Sequence, residues 1–204
     1  ASVCEESSTI DSTLFGKYEV KRGLRDLNGQ GVLTGLTEIS EIRSRKMEDD
    51  EWVPCDGKLY YQGIDIEEIV GGFLAEKRFG YEEVVYLLLF GKLPSAKELA
   101  DFQTLLAAQR SLPRNFVRDV IMKAPGVDLM NTLARSVLTL YSYDDRADDT
   151  STENVLRQCL QLVALFPMFS VYGYQTVRYF HGGSSFFLHP PKPEYSTAEN
   201  ILHM

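Results

Sequence analysis

Val32-Leu33-Thr34-Gly35-Leu36-Thr37-Glu38-Ile39-Ser40-Glu41-Ile42, then Asp56-Gly57-Lys58-Leu59-Tyr60-Tyr61-Gln62-Gly63-Ile64-Asp65-Ile66, is the stretch on which the fold turns. Apolar residues alternate from Val32 to Ile42, which predicts a strand, and Leu59-Tyr60-Tyr61 predicts a second short one. The charged interval 43–54 reads as their loop and holds the only tryptophan, Trp52. After Gly63 the period changes to three and four, the spacing of helices. Asp65 is placed to cap the first of them, with Glu67 and Glu68 favoured near its N-terminus by the helix dipole.

The helical pattern then continues along the chain. Gly80 precedes Tyr81–Phe90, which is apolar nearly all round and so reads as a buried helix, closed by Gly91. Ser95-Ala96-Lys97-Glu98 is a capping box opening a helix to about Gln109, and Pro113 starts a short one. Leu129, Met130, Leu133, Val137, Leu140 and Tyr141 mark an amphipathic helix. A polar connector, 144–152, follows. Two apolar helices are expected over 155–166 and on to Phe180, separated by Pro167 because proline lacks the amide that a helix interior needs. Gly182-Gly183 ends the second. Residues 189–193 read as an irregular proline loop, and Ser196-Thr197-Ala198-Glu199 is another capping box. Upstream, Ile10, Leu14 and Tyr18 suggest a first helix from Thr9 toward Leu24, ending near Asn28-Gly29.

The 204 residues are enough to bury a sizeable core, and 44% hydrophobic with 25% charged residues is ordinary globular composition. A net charge of −8 argues against a general nucleic-acid binder, which needs an excess of Lys and Arg against phosphate. Three cysteines at wide spacing, with no C-x-x-C pair, indicate neither a disulfide framework nor a zinc site, and a reducing cytoplasm is the simplest compartment. Residues 1–9 lack the apolar core of a signal peptide. No apolar run is read as long enough to span a membrane, so no membrane partner is expected.

Motifs for chemistry are sparse. Gly29, Gly31 and Gly35 precede a strand rather than follow one, so they read as turn glycines and not as a dinucleotide loop. His181 closes an aromatic helix, where a cation suits the dipole, and His189 and His203 have no carboxylate or cysteine nearby in sequence. No metal site and no catalytic residue is therefore assigned. Tyr172, Tyr174, Tyr179, Phe180, Phe186 and Phe187 read as core or subunit-interface packing, because no Lys or Arg interleaves them as in a base-stacking platform. Lys21, Arg22 and Arg25 fall on one helical face, a small cationic patch that could meet an anion or pair with Glu19 and Asp26.

One ordered set of residues carries more. Gly35-x-Thr37-x-Ile39-Ser40, Leu59-Tyr60-Tyr61-x-Gly63-x-Asp65-Ile66, the run from Tyr81 to Pro94, Glu98-Leu99-x-x-Phe102 and Ala198-Glu199-Asn200-Ile201-Leu202 together resemble the citrate synthase family, bacterial citrate and 2-methylcitrate synthases included. Gln62 stands where the family usually has arginine. The resemblance implies a mainly α, multi-helical large-domain fragment with a small N-terminal β-hairpin, residues 1–204 forming the amino-terminal part before the catalytic half. It implies condensation of acetyl-CoA, a substrate rather than a permanently bound cofactor, with oxaloacetate to citrate and CoA in a complete, homodimeric enzyme. The family's catalytic histidines, aspartate and carboxylate-binding arginines then lie past Met204, and the fragment alone is expected to be inactive. By position, Arg25 resembles an arginine that reaches CoA phosphate. The alternatives are a 2-methylcitrate synthase using propionyl-CoA, or a non-catalytic helical association module on the same scaffold.

Overall fold

The computed structural model describes residues 2–11, 13–18, 32 and 35–204, and forms two compact units, Ser2–Leu93 and Pro94–Met204. The first begins with helices α1 (Ser2–Ser8) and α2 (Thr13–Lys17). Of the helix expected from Thr9, the described residues form α2, which starts four residues later behind Asp11, whose carboxylate accepts from the Thr13 amide at 2.9 Å, while α1 lies before it. The end of that expected helix lies outside the described residues.

The sheet differs from the sequence reading in register. Strand β1 is Ser40–Glu48 and β2 is Glu51–Tyr61, so most of the expected loop 43–54 is strand, and 35–37 is not. The two strands pair antiparallel from Ser40 opposite Tyr61 to Glu48 opposite Glu51, with an irregularity between Arg43 and Arg45. Asp49 and Asp50 make the turn, both at positive φ (49° and 64°), the geometry that matches strand twist in a two-residue hairpin. Aspartate tolerates it because its short polar side chain bonds locally. Every residue of β1 is exposed, so neither face carries an apolar alternation and the period-two signal is absent where the strand is. Gln62 and Gly63, at φ 49° and 79°, turn the chain again into β3 (Ile64–Asp65), which pairs with Tyr60 and Tyr61.

Asp65 caps α3 (Ile66–Ala75) as expected, accepting from the Glu67 amide. Gly80 is required before α4 (Tyr81–Phe90), since a Cβ there would sit 2.2 Å from the Phe73 ring. Gly91 closes α4 in the left-handed conformation at φ 73°. Only Leu87 and Glu82 of α4 are fully buried, so the helix is less enclosed than its composition suggests. Helix α1 lies on it, with Ser7 Oγ donating to the Leu89 carbonyl at 3.2 Å.

In the second unit Ser95 and Glu98 form the complete capping box of α5 (Ala96–Ala108). The short element after Pro113 is a π-helical turn, Val117–Ile121, that buries Ile121 beside Phe116. Helix α6 (Leu129–Leu140) runs into a 3₁₀ turn, Tyr141–Tyr143. Helix α7 (Thr152–Gly182) follows, then α8 (Thr197–His203). The core is Phe116, Ile121, Leu140, Leu165, Met168, Phe169, Tyr172 and Met204.

Helix α7 corrects the expectation of a break at Pro167: it is one helix of 31 residues with the proline inside. An interior proline costs about 3 kcal/mol or more. Burial of Leu160, Ala164, Leu165, Met168, Phe169 and Tyr172 on both sides of Pro167 offsets it, because α5, α6, α8 and the π turn all pack on α7. Uninterrupted, α7 is long and apolar enough by length and composition to cross a membrane, contrary to the sequence reading, yet nine of its residues face the core of its own unit. Gly183 ends it at φ 66°.

Candidate functional site

The cationic patch of Lys21, Arg22 and Arg25 lies outside the described residues. The three histidines fall within them. His181 Nε2 lies 2.6 Å from the Pro125 carbonyl, a bond that ties the end of α7 to the loop before α6. His189 and His203, which the sequence separates by a proline loop, are brought together with ring centroids 5.5 Å apart, and Tyr195 meets His203 edge-on at 5.4 Å. Tyr172, buried in α7, donates its hydroxyl to the His189 carbonyl at 3.1 Å.

What holds this cluster is a residue the sequence reading passed over. Asn200 is fully buried on α8 and uses its whole amide. Its Oδ1 accepts from the Lys192 amide at 2.7 Å, while Nδ2 donates to the carbonyls of Lys192, Tyr195 and Ser196 at 3.0–3.1 Å. Arg110, from the end of α5, donates to the Tyr195 carbonyl at 2.8 Å and to Thr197 Oγ1 at 3.1 Å. A buried asparagine one turn after a capping box, facing a proline turn, was the available signal: such an amide must find backbone partners, and a turn supplies them.

Chemically this arrangement is a clamp built on backbone carbonyls and one buried amide. Glu199, the nearest carboxylate on α8, accepts from the Ser196 amide and hydroxyl, and those bonds hold it below the usual glutamate range. It therefore stays ionised as a cap. Among the described residues no three His, Cys, Asp or Glu side chains are grouped to hold a metal ion.

A second polar network sits at the start of α7. The Asp144 carboxylate accepts from Arg157 Nη2 at 2.6 Å and Gln158 Nε2 at 3.1 Å, and buried Asn154 joins Arg157 Nε to the carbonyls of Arg146 and Asp149. Cavities of about 270 and 240 Å³ flank Asp144. The hydrogen bond from Arg157, then that from Gln158, pulls the Asp144 carboxyl from 3.8 to about 2. A depressed folded-state value means the contribution is complete above about pH 4 and disappears as pH falls toward 2. Asp144→Asn is expected to flatten the acid limb of stability against pH in that window and leave the profile near neutrality parallel to the parent. Unchanged acid unfolding would show that the pair contributes nothing.

The profile described as "Citrate synthase, C-terminal domain" matches residues 26–204. The chain belongs to the citrate synthase family. Among its relatives, the citrate synthase of Haloferax volcanii is 34% identical over 154 residues, covering 73% of this chain and 35% of the relative. The 2-methylcitrate synthase 1 of Corynebacterium glutamicum is 25% identical over 150 residues, with 74% and 34% covered. The fold matches the crystal structure of citrate synthase from Pyrobaculum aerophilum with a TM-score of 0.66 at 27% identity, across 89% of this chain and 43% of that one. The chain thus spans roughly a third to two-fifths of the length of these citrate synthase relatives. The helical fold with its small N-terminal sheet is the one the sequence implied.

Proposed function

We propose that residues 1–204 are the amino-terminal part of a citrate synthase-type acyltransferase that condenses acetyl-CoA with oxaloacetate, giving citrate and CoA. The family match along 26–204, together with 34% identity over 154 residues to a citrate synthase, carries this reading. A 2-methylcitrate synthase is the second reading, favoured by the Corynebacterium relative. Arg25 is proposed to contact CoA phosphate, since a guanidinium offers paired donors to phosphate oxygens. A homodimer fits the exposed apolar row on α6 and its flanks, Val127, Met130, Leu138 and Tyr141, opposite the buried Thr132, Ser136 and Leu140. Three free cysteines fit a reducing compartment such as the cytoplasm.

Abstracting a proton from an acyl-CoA methyl group needs a positioned base and a stabiliser for the developing oxyanion. Among the described residues each histidine instead engages a carbonyl or another ring. The full-length protein is therefore expected to release free thiol from acetyl-CoA in the presence of oxaloacetate, and residues 1–204 alone to release none. Faster release from propionyl-CoA would select the 2-methylcitrate reading. Silence with both would favour a non-catalytic association module. In the full-length protein Arg25→Ala should raise the KM for acyl-CoA several-fold with little effect on that for oxaloacetate.

A further inference from the structure

The polar network at the start of α7 fastens the helix and still has hydrogen-bond donors to spare. Arg157 spends Nε on Asn154 Oδ1 and one N–H of Nη2 on Asp144 Oδ2. Its Nη1 group bonds to no described residue. Nη1 and the second N–H of Nη2 share the end edge of the planar guanidinium, a fork that grips a carboxylate through two parallel bonds. Arg157 lines the cavity of about 270 Å³ beside Asp144, together with Gln161, Ser111 and Tyr143. Gln161 lies one helical turn beyond Arg157, so the two share a face of α7. The Gln161 amide group and the hydroxyls of Ser111 and Tyr143 also bond to no described residue.

The one carboxylate in this wall is already engaged. Asp144 takes three hydrogen bonds, from Arg157 and Gln158 on Oδ2 and from the Arg146 amide on Oδ1. Open donors therefore outnumber open acceptors, which selects an anion over an amine. The adjoining cavity, about 240 Å³, shares Leu140, Asp144 and Gln161 in its wall and adds the apolar Val137 and Leu162. We propose that the two cavities form one binding site for a small amphipathic monocarboxylate. Its carboxylate sits on the Arg157 fork, with Gln161, Ser111 and Tyr143 around it, and its aliphatic tail lies against Leu140, Val137 and Leu162. One arginine balanced by one ionised aspartate suits a single negative charge better than a dicarboxylate or a phosphate dianion. Size agrees: at about 30 Å³ for a water-sized group, the larger cavity takes a carboxylate and a chain of a few carbons. None of the four polar residues of the head group belongs to the apolar row of α6.

Titration calorimetry on the full-length protein tests this with sodium hexanoate as the probe. Hexanoate is expected to bind with a Kd of about a millimolar, the strength open to so few atoms. Hexylammonium, of like length and opposite charge, and inorganic phosphate should each bind about tenfold more weakly or worse. Gln161→Leu and Ser111→Val leave the Arg157–Asp144 pair in place, and each should weaken hexanoate about fivefold or more by removing a hydrogen bond to a charged group. Asp144→Asn keeps an amide oxygen for Arg157 but removes the negative charge beside the fork, so it should tighten hexanoate about threefold or more. A gain of affinity is a result that loss of structure does not produce. A carboxylate held elsewhere in the protein binds the parent and all three variants alike. Equal affinities across these chains, no binding of hexanoate, hexylammonium or phosphate bound as tightly as hexanoate, or weaker binding to Asp144→Asn overturns the proposal and leaves the network as a fastening for α7.

Discussion

Phe169→Ala is expected to lower the unfolding free energy of the second unit by about 3–5 kcal/mol, the range for removing a fully buried aromatic ring. Phe169 is completely buried near the middle of α7, two residues after Pro167. Its ring stacks on Phe116 with centroids 5.8 Å apart and interplanar angle 25°, and meets Phe166 at 6.1 Å. Phe116 stands just before the π turn, so the stacked pair fastens that turn to α7. The cavity left by alanine cannot collapse easily, because its walls come from separate elements packed on one helix. Denaturant unfolding followed by far-ultraviolet circular dichroism reads the loss. Phe180→Ala, at the exposed end of the same helix, should cost less than about 1 kcal/mol. Equal losses at the two positions would mean that the core does not centre on α7.

The contrast between Phe169 and Phe180 shows where the sequence was legible. The helices that Asp65, Ser95 and Ser196 announce start where the sequence predicts, because a cap is a local bargain between a side chain and the free amides of the first turn. Asp65, Ser95 and Ser196 each make the bond that their position predicts. Gly91 and Gly183 likewise stop α4 and α7 at positive φ. The errors came where non-local packing overrules a local preference. Pro167 breaks helices in isolation, yet burial on both sides carries α7 through it. The hairpin failed for the opposite reason: β1 buries nothing, so no alternation marks it, and its turn is Asp49-Asp50 rather than a glycine-bearing pair.

The candidate site was legible in its parts and not in their meeting. His189, Tyr195 and His203 are ordinary residues along the chain. Their contact depends on the proline turn folding back over α8, where Asn200, Arg110 and Tyr172 hold its carbonyls.

Asn200→Leu is expected to cost about 2–4 kcal/mol, although the side chains are nearly equal in size. The substitution removes four hydrogen bonds, but their loss is uneven. The Ser196 carbonyl keeps the helical bond from the Asn200 amide, the Lys192 carbonyl keeps the Tyr195 amide, and the Tyr195 carbonyl keeps Arg110. The Lys192 amide, held at 2.7 Å by Oδ1, loses the partner that fixed it. One stranded donor costs about 1–3 kcal/mol and each of the other bonds contributes about 0.5–1.5, offset in part by about 1.5–3 kcal/mol from burying leucine where the amide stood, which sets the total. Because Arg110 and Asn200 share the Tyr195 carbonyl, Arg110→Ala should cost more in the Asn200→Leu background than alone. A double-mutant cycle measures that coupling, and additivity within about 0.5 kcal/mol would deny it. A single-variant loss below about 0.5 kcal/mol would show that Pro190, Pro191 and Pro193 hold the turn unaided. If the coupling is found, the course of the chain from the proline turn into α8 depends on one amide, that of Asn200.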